Sequence, residues 1–173
     1  MVILEDSVLP EHVKMVRDTI KNAKGWRRTV HPLIRKCKGV LREITIYFLL
    51  DDVGKPIAWV YLHKRQGWAA SEIHQVFVEP EFRRMGFAYL LYTTIIHDGV
   101  LLSSGPSHTT GSMSVWSKLA CDPAFTVWAH DFYNLKRTAE VISDGKKMEC
   151  SLRIYDDSGD DIVTGKQIGR AHV

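Results

Sequence analysis

The residues with the clearest chemical potential lie where a short apolar run meets a basic loop and a helical pattern. Residues 76–78, VFV, are typical of the end of a buried strand, and Pro80 ends it because proline has no N–H for a strand ladder. The basic loop RRMGFA (residues 83–88) follows, and strongly apolar helical spacing continues to Ile96. The N–H groups that begin a helix have no intrahelical acceptors, and the helix dipole adds partial positive charge there. This arrangement predicts an anion-binding loop.

Three residues of this loop suit a phosphate group in particular. Gly86 lets the backbone approach a phosphate closely, and Arg83 and Arg84 can add charge-assisted hydrogen bonds. The loop matches neither G-x-x-x-x-G-K-[ST] nor G-x-G-x-x-G, so nucleoside triphosphate and dinucleotide ligands lose their main support. An ordinary basic turn between a strand and a helix is the alternative interpretation.

The run from Val76 to Ala88 resembles the pyrophosphate loop of the GNAT acyltransferase superfamily. The family pattern [Q/R]-x-x-G-x-[G/A] is present as R-x-x-G-x-A at residues 83–88, and VEPEF (residues 78–82) is similar to the V-x-P-x-[YF] that precedes it. The resemblance implies acetyl-CoA as co-substrate, with its pantetheine arm along the strand and its pyrophosphate on the loop amides. The cofactor-binding residues implied are Phe77, Val78, Arg83, Arg84, Met85, Gly86, Phe87 and Ala88.

Two candidate catalytic residues, Glu72 and His74, precede the loop on the same predicted strand. Because they are two residues apart, both side chains are expected on one face of the sheet. The resemblance implies a carboxylate base at such a position, acting directly or through water, and imidazole exchanges protons near neutral pH. The alternatives are a solvated acid at the strand edge and a core or surface histidine.

The acid that protonates the leaving thiolate is harder to assign. Many relatives place a tyrosine on a later helix, in a stretch that matches VWSKL (residues 115–119), so Trp116 stands where that tyrosine would be. An indole N–H cannot supply a proton in this chemistry. Ser112 or Ser117 serves instead, or the thiolate leaves through solvent, or the site is not catalytic in the ordinary way. Core packing is the favoured interpretation of Trp116.

The leading functional hypothesis is an acyl-CoA-dependent N-acyltransferase that passes an acetyl group to a small-molecule or protein amine by direct transfer in a ternary complex. The alternative is a catalytically inactive GNAT-fold module that binds CoA or another protein, which the tryptophan substitution favours. Nucleic-acid binding by the basic segment 24–42 is disfavoured, since Trp26 is its sole aromatic residue and the net charge is only +3. The serine- and threonine-rich segment 103–112 and the short chain resemble GNAT-like proteins of bacteriophages.

Length and composition are those of an ordinary soluble globular protein with one domain. The 173 residues are 45% hydrophobic and 25% charged, without the run of about 18 apolar residues that spans a bilayer and without a signal-peptide pattern. Three widely spaced cysteines form no C-x-x-C pair, so we expect no metal site, no disulfide and a cytoplasmic location. The oligomeric state, monomer or homodimer, stays open.

The last six residues, IGRAHV (168–173), match what a common sequencing adapter encodes when translated in one frame. We interpret this segment as a non-native read-through tail, with residues 1–167 as a single acyltransferase-like domain. On this interpretation the natural C-terminus is missing.

The order of predicted elements gives an α+β fold. A strand at residues 2–4 is followed by a helix from Pro10 to about residue 23, a second short helix from Pro32 to about residue 38, and three antiparallel strands ending at residue 78. A helix ending near residue 97, a short strand at 100–102, a helix over 111–120 capped by Thr109 or Thr110, and strands at 125–132 and 148–155 complete it. This order resembles the GNAT topology: a mostly antiparallel central sheet flanked by helices on both faces, with a βαβ cofactor unit.

Overall fold

The computed structural model describes residues 10–39, 43–66, 69–104, 109–131, 136–140 and 167–172. Contacts divide the chain into two compact units, one of residues 7–100 and one of residues 1–6 with 101–173. The helices are α1 (Pro10–Asn22), α2 (Phe87–His97) and α3 (Thr110–Cys121), with a 3-10 turn at Pro80–Phe82. The strands are β1 (Arg27–Arg28), β2 (Ile34–Lys38), β3 (Ile44–Leu50), β4 (Pro56–His63), β5 (Ser71–Val78), β6 (Leu102–Ser103), β7 (Thr126–Asp131), β8 (Lys136–Glu140) and β9 (Gln167–His172).

The unit of residues 7–100 is built on β1 to β5, each paired antiparallel with the next. The β3–β4 hairpin closes on Asp51, whose carboxylate accepts hydrogen bonds from the N–H groups of Val53 (3.1 Å) and Lys55 (2.7 Å). Gly54 takes the left-handed backbone conformation (φ 81°) that this turn needs and that glycine adopts without a Cβ clash. The three predicted antiparallel strands before the loop are confirmed as β3, β4 and β5.

Helix α1 covers one face of this sheet. Val13, Val16 and Ile20 recur at helical spacing, are buried, and pack on inward-facing side chains of β3 and β4, including Phe48 and Trp59. Burying aliphatic side chains of this size stabilises the fold by roughly 1.5–3 kcal/mol each. The predicted helix start at Pro10 is confirmed. Proline suits this position because its missing N–H is not needed in the first turn.

Helix α2 packs on the opposite face, against β3, β4 and β5. Its buried residues Leu91, Tyr92, Ile95 and Ile96 meet side chains of β3 and β4 that alternate with those facing α1. Helices therefore flank both faces of the sheet, and the predicted mixed α+β, mostly antiparallel fold class is confirmed.

The predicted second helix from Pro32 is wrong. Residues 31–33 form a turn, and Ile34–Lys38 is strand β2, paired residue by residue with β3. A five-residue stretch with apolar side chains at Ile34 and Cys37 gives too short a pattern to separate helix from strand. The segment forms a strand rather than a helix because its pairing with β3 satisfies a whole row of backbone hydrogen-bonding groups on that edge of β3.

The unit that contains residues 101–173 includes β6, α3 and the antiparallel strands β9, β7 and β8. The Thr109 hydroxyl caps α3 by accepting a hydrogen bond from the N–H of Ser112 at 3.1 Å, as predicted. Strand β7 confirms the prediction for residues 125–132, whereas the predicted strands at 2–4 and 148–155 lie outside the described residues. The parallel pairing of β6 with β5, and a single domain over residues 1–167, stay predictions.

Two further sequence expectations concern cysteines and membranes. Cys37 is a buried free thiol whose pKa is raised to about 11 by burial, whereas Cys121 is disulfide-bonded, so the expectation of no disulfide is wrong for this residue. Sequence spacing does not show which cysteines a fold brings together. None of the described helices has the length and apolar character that crossing a membrane requires.

A buried carboxylate, Asp98, connects the end of α2 to the strands. Its Oδ2 atom lies 2.5 Å from Lys36 Nζ on β2 and accepts a hydrogen bond from the Tyr47 hydroxyl at 3.1 Å, while Oδ1 accepts one from the Val30 N–H at 2.9 Å. Burial alone would raise the pKa of Asp98, but these hydrogen bonds and the Lys36 charge outweigh it and lower the pKa below its ordinary value.

We expect Asp98→Asn to lower the free energy of unfolding at pH 7 by about 1–3 kcal/mol, since it weakens hydrogen bonds to a buried charge. A carboxyl whose folded pKa is depressed stabilises above its unfolded pKa and loses that contribution as pH falls through the folded pKa. The difference between wild type and variant should therefore shrink below pH 3.8, the ordinary value. Urea unfolding at pH 7 and at acid pH measures this difference in the free energy of unfolding, with Asp52→Asn at an exposed position as the control. A difference that does not change with pH would contradict the prediction.

The read-through interpretation of residues 168–173 also makes a measurable prediction. Deleting these residues should leave the melting temperature unchanged if they are not native sequence. The backbone of β9 nevertheless pairs with β7, and Ala171 lies opposite both Leu102 and Val127. A fall of several degrees on deletion, reproduced by Ala171→Pro because proline removes a ladder N–H, would instead show that the segment belongs to the fold.

Candidate active site

The loop between β5 and α2 has the backbone geometry of an anion cradle. After the 3-10 turn at residues 80–82, Arg84 adopts φ 65° and Gly86 adopts φ 85°, both in the left-handed region. Helix α2 then begins at Phe87, so two left-handed residues turn the chain directly into the helix. A Cβ atom added at Gly86 would meet nothing within 4 Å, which leaves open space on the loop.

The first turn of α2 is electrostatically suited to a phosphate. Gly86 is the N-cap residue, no side chain caps the helix, and its first turn contains no acidic residue. The Gly86 carbonyl already accepts the first helical hydrogen bond, from the N–H of Leu90 at 2.9 Å. The N–H groups that open the helix therefore point toward the loop without a capping side chain, which is the arrangement that binds anions.

The basic side chains of the loop lie at its surface. Arg83 and Arg84 are exposed, and Met85 is 61% exposed beside them. The Arg83 Nε atom donates a hydrogen bond to the Val78 carbonyl at 3.3 Å, so the guanidinium is held at the end of β5. This places positive charge at the start of the cradle, as the sequence pattern predicted.

Arg17 of helix α1 contacts the strand that leads into the loop. Phe77 stacks on Trp59 of β4, with ring centroids 4.3 Å apart and an interplanar angle of 20°. The Arg17 guanidinium of α1 lies about 6 Å from both ring centroids, within cation–π range. Arg17 also forms an ion pair with Glu79, the buried residue directly after β5, which lies 3.7 Å from the Lys55 ammonium as well. Sequence reasoning missed these contacts, because residues 17 and 79 are far apart in the chain.

Glu72, the predicted carboxylate base, is only 3% exposed. Its Oε2 atom lies 2.6 Å from the Arg65 Nε atom in an ion pair. Because the carboxylate is buried and already paired with a guanidinium, an acceptor amine reaches it directly only when that pair loosens, or otherwise through water. Its position on β5 agrees with the prediction, but its burial does not resemble a freely accessible base.

His74, the second predicted base, occupies a β-bulge. Tyr61 and Leu62 of β4 pair with Gln75 and Ile73, so β5 has one extra residue between these pairs, and that residue is His74. Glu72 pairs opposite His63, on the face of the sheet that also carries Tyr61. His74 is exposed and its ring centroid lies 5.8 Å from that of Tyr61. The two candidate bases share a face, yet only the histidine is open to a ligand.

A small cavity adjoins His74. Its volume is about 130 Å³, and its described lining is His12, Met15, Tyr61, His74 and Gln75. Burial raises the pKa of the Tyr61 phenol, so this hydroxyl stays protonated and can donate or accept a hydrogen bond. The role of α1 in this cavity was not predicted; the exposed His12 and Met15, three residues apart on a helix, are the pattern that could have shown it.

Trp116, at the position of the usual tyrosine, is fully buried in α3 together with Val115 and Leu119. Helix α3 packs on β7 and β9 within its own unit. This burial supports the interpretation of Trp116 as core packing. Of the segment 103–112, Ser103 and Ser104 are also buried, whereas residues 105–108 lie outside the described residues.

The described part of the chain holds no group of three or more His, Cys, Asp or Glu side chains that could bind a metal ion. A basic glycine loop before an uncapped helix, on a mixed α+β sheet, agrees with the acyltransferase-type class that the loop pattern implies. The profile of the acetyltransferase (GNAT) family matches residues 13–102, just over half of the chain, and the chain belongs to this family. Members of the family typically use acetyl-CoA. Comparison with curated proteins and with solved structures finds no match.

Proposed function

We propose that this protein is an N-acyltransferase that moves an acetyl group from acetyl-CoA to an amine by direct transfer in a ternary complex. The observation that carries the proposal is the β5–α2 loop, where left-handed Arg84 and Gly86 lead into an uncapped helix beside exposed arginines. This cradle suits the pyrophosphate of CoA, with the loop amides as donors and Arg83 adding charge. The pantetheine arm would then follow the backbone of Phe77 and Val78.

The transfer step needs one proton acceptor near the amine. The amine nitrogen bonds to the thioester carbonyl carbon, the C–S bond breaks, and the proton lost from nitrogen passes to a base on β5. His74 is exposed beside a cavity and can take this proton directly, whereas Glu72 is occupied by Arg65 and would act through water. The leaving thiolate takes its proton from solvent, because Trp116 supplies none.

A second candidate function is a catalytically inactive module that binds CoA or a partner protein. The burial of Trp116 and the ion pair on Glu72 favour it, since both remove proton-transfer groups that relatives use. Thiol release from acetyl-CoA with a panel of amines separates the two functions.

Nucleic acid is a poor fit as a partner. Trp26 packs edge-on against Phe48, with ring centroids 5.4 Å apart, and its indole N–H donates to the Ile20 carbonyl. This single residue, 44% exposed and held by the fold, does not form the row of aromatic side chains on which successive bases stack. Lys36 of the same basic segment is neutralised by Asp98. A small-molecule or protein amine remains the proposed acceptor.

Replacing Gly86 by Glu should lower CoA affinity at least tenfold, on the order of 1.4 kcal/mol, because a side chain and a like charge enter the cradle. Calorimetry with CoA measures this affinity. Gly54→Glu is a matched control, since Gly54 also has positive φ (81°) and open space around its Cα. Both variants force a non-glycine residue into the left-handed region, at a cost of roughly 1–2 kcal/mol of stability.

Only the Gly86 variant should lose CoA binding, although both should melt at lower temperature. Undiminished CoA affinity in a folded Gly86→Glu protein would show that the pyrophosphate site is elsewhere. An equal loss in both variants would mean that the effect comes from stability rather than from the cradle.

His74→Ala or Glu72→Gln should reduce turnover at least tenfold with little change in CoA affinity, since general-base assistance contributes about 10²–10⁴-fold. Turnover that depends on a base falls as pH drops and the base becomes protonated, so the turnover–pH profile should change on its acid side. Arg65→Gln is the control for Glu72, because it breaks the same ion pair without touching the carboxylate.

If Arg65→Gln lowers turnover as much as Glu72→Gln, the glutamate has a structural role and His74 is left as the base. If neither strand variant lowers turnover or alters the pH profile, base catalysis from β5 is wrong. The search would then move to the serine-rich segment 103–112.

A further inference from the structure

The cavity beside His74 is where an acceptor amine would have to lie, given the proposed function. A general base must come within hydrogen-bond reach of the proton that it removes. His74 is exposed, so its imidazole is available to a ligand that enters the cavity. The side chains that share the cavity with His74 therefore meet the part of the acceptor that carries the amine.

Helix α1 supplies one wall of this cavity. His12 and Met15 are three residues apart, so they lie next to each other on the helix surface. Neither is a core residue: His12 is exposed and Met15 is 44% exposed, while their neighbours Val13 and Val16 are buried. An exposed methionine in the cavity lining adapts readily to a ligand, because its side chain is flexible and polarisable.

The charge of the cavity lining bears on which amines can bind there. The described side chains are two imidazoles, a phenol, a carboxamide and a thioether, and none of these is a carboxylate. The nearest carboxylate along β5, that of Glu72, is buried against Arg65. Taking an ammonium group out of water costs several kcal/mol unless an opposite charge or several acceptors replace its hydration. A protonated alkylamine thus finds hydrogen-bond acceptors but no opposite charge in the described lining, whereas an uncharged amine needs no opposite charge to enter.

The size of the cavity limits what enters. The cavity opens to solvent, and its volume of about 130 Å³ is slightly smaller than that of an enclosed apolar protein cavity of ~150 Å³ known to hold benzene. One small ring, or a group of similar volume, therefore fills it. Tyr61, His74 and His12 contribute aromatic rings to the lining, and the phenol, imidazole and amide groups can form hydrogen bonds with the amine on such a ring.

We propose that the cavity lined by His12, Met15, Tyr61, His74 and Gln75 is the acceptor site, that it selects an arylamine-type acceptor (a neutral amine on a single small ring), and that His12 is a specificity-determining residue of that site. This inference rests on the proposed function for its biological meaning. Its binding claim can be tested without any transfer reaction.

The first experiment compares aniline with cyclohexylamine, which have rings of similar size but are respectively neutral and protonated at pH 7. The histidine ring resonances of the full chain are followed by ¹H–¹³C spectroscopy during each titration, with no acetyl-CoA present. We expect aniline to shift the resonances of His12 and His74 and to leave exposed His97 unchanged, with cyclohexylamine binding at least tenfold more weakly. No shift with aniline, or equal or tighter binding of cyclohexylamine, would overturn the proposal.

The second experiment tests His12 itself. His12→Ala should weaken aniline binding roughly five- to tenfold, as expected when a hydrogen bond and a ring contact are lost, whereas His97→Ala should not. Folding should be retained, because His12 is exposed and alanine favours helix. Unchanged aniline affinity in His12→Ala would remove His12 from the site.

Thiol release from acetyl-CoA then separates this inference from the proposed function. If aniline binds as described but no amine yields thiol, the acyltransferase proposal fails and the arylamine site stands. If alkylamines are acetylated faster than aniline at equal concentration, the transferase proposal stands and the arylamine site is wrong.

Discussion

The structure depends on how the chain turns from β5 into α2. Two left-handed residues within three positions, Arg84 and Gly86, are needed for this turn, and the first is not a glycine. A non-glycine residue in that region costs on the order of 1 kcal/mol, so the flanking structure must hold it in place. Contacts of β5 on one side and of α2 on the other hold this turn in place. The turn leads into a helix that begins without a capping side chain.

Buried carboxylates provide that anchoring at both ends. Glu79 follows β5 and is held by Arg17 and Lys55, whereas Asp98 ends α2 and is held by Lys36 and Tyr47. Each cation comes from an element distant in sequence. Breaking a buried pair by removing one partner costs more than the pair contributes, because it leaves an uncompensated charge. We therefore expect these pairs to hold the loop and helix in one arrangement more than to add stability.

Local patterns predicted the parts of the fold that carry strong periodicity. Strands β3 to β5, helices α1 to α3 and the Thr109 cap follow from apolar spacing and capping chemistry, and the loop pattern located the cradle. The strand at residues 34–38 was missed because its state depends on pairing with β3, which no local pattern shows. The bulge at His74 was missed for the same reason: an extra residue is defined only by the register of the neighbouring strand.

The two predicted bases differ in their exposure to solvent, and one of them, His74, lies in the bulge. Sequence spacing treats Glu72 and His74 as equivalent, since both project from one face, but the fold buries the acid against Arg65 and exposes the imidazole. In the proposed mechanism, an imidazole base beside a described lining without carboxylates is matched to an acceptor that arrives uncharged, because such an amine can attack before it loses a proton. The imidazole then needs only to accept the proton from the cationic nitrogen formed in the attack, a far stronger acid than the free amine. On this argument, the burial of Trp116 and the pairing of Glu72, which fit an inactive module, are also compatible with catalysis that uses His74.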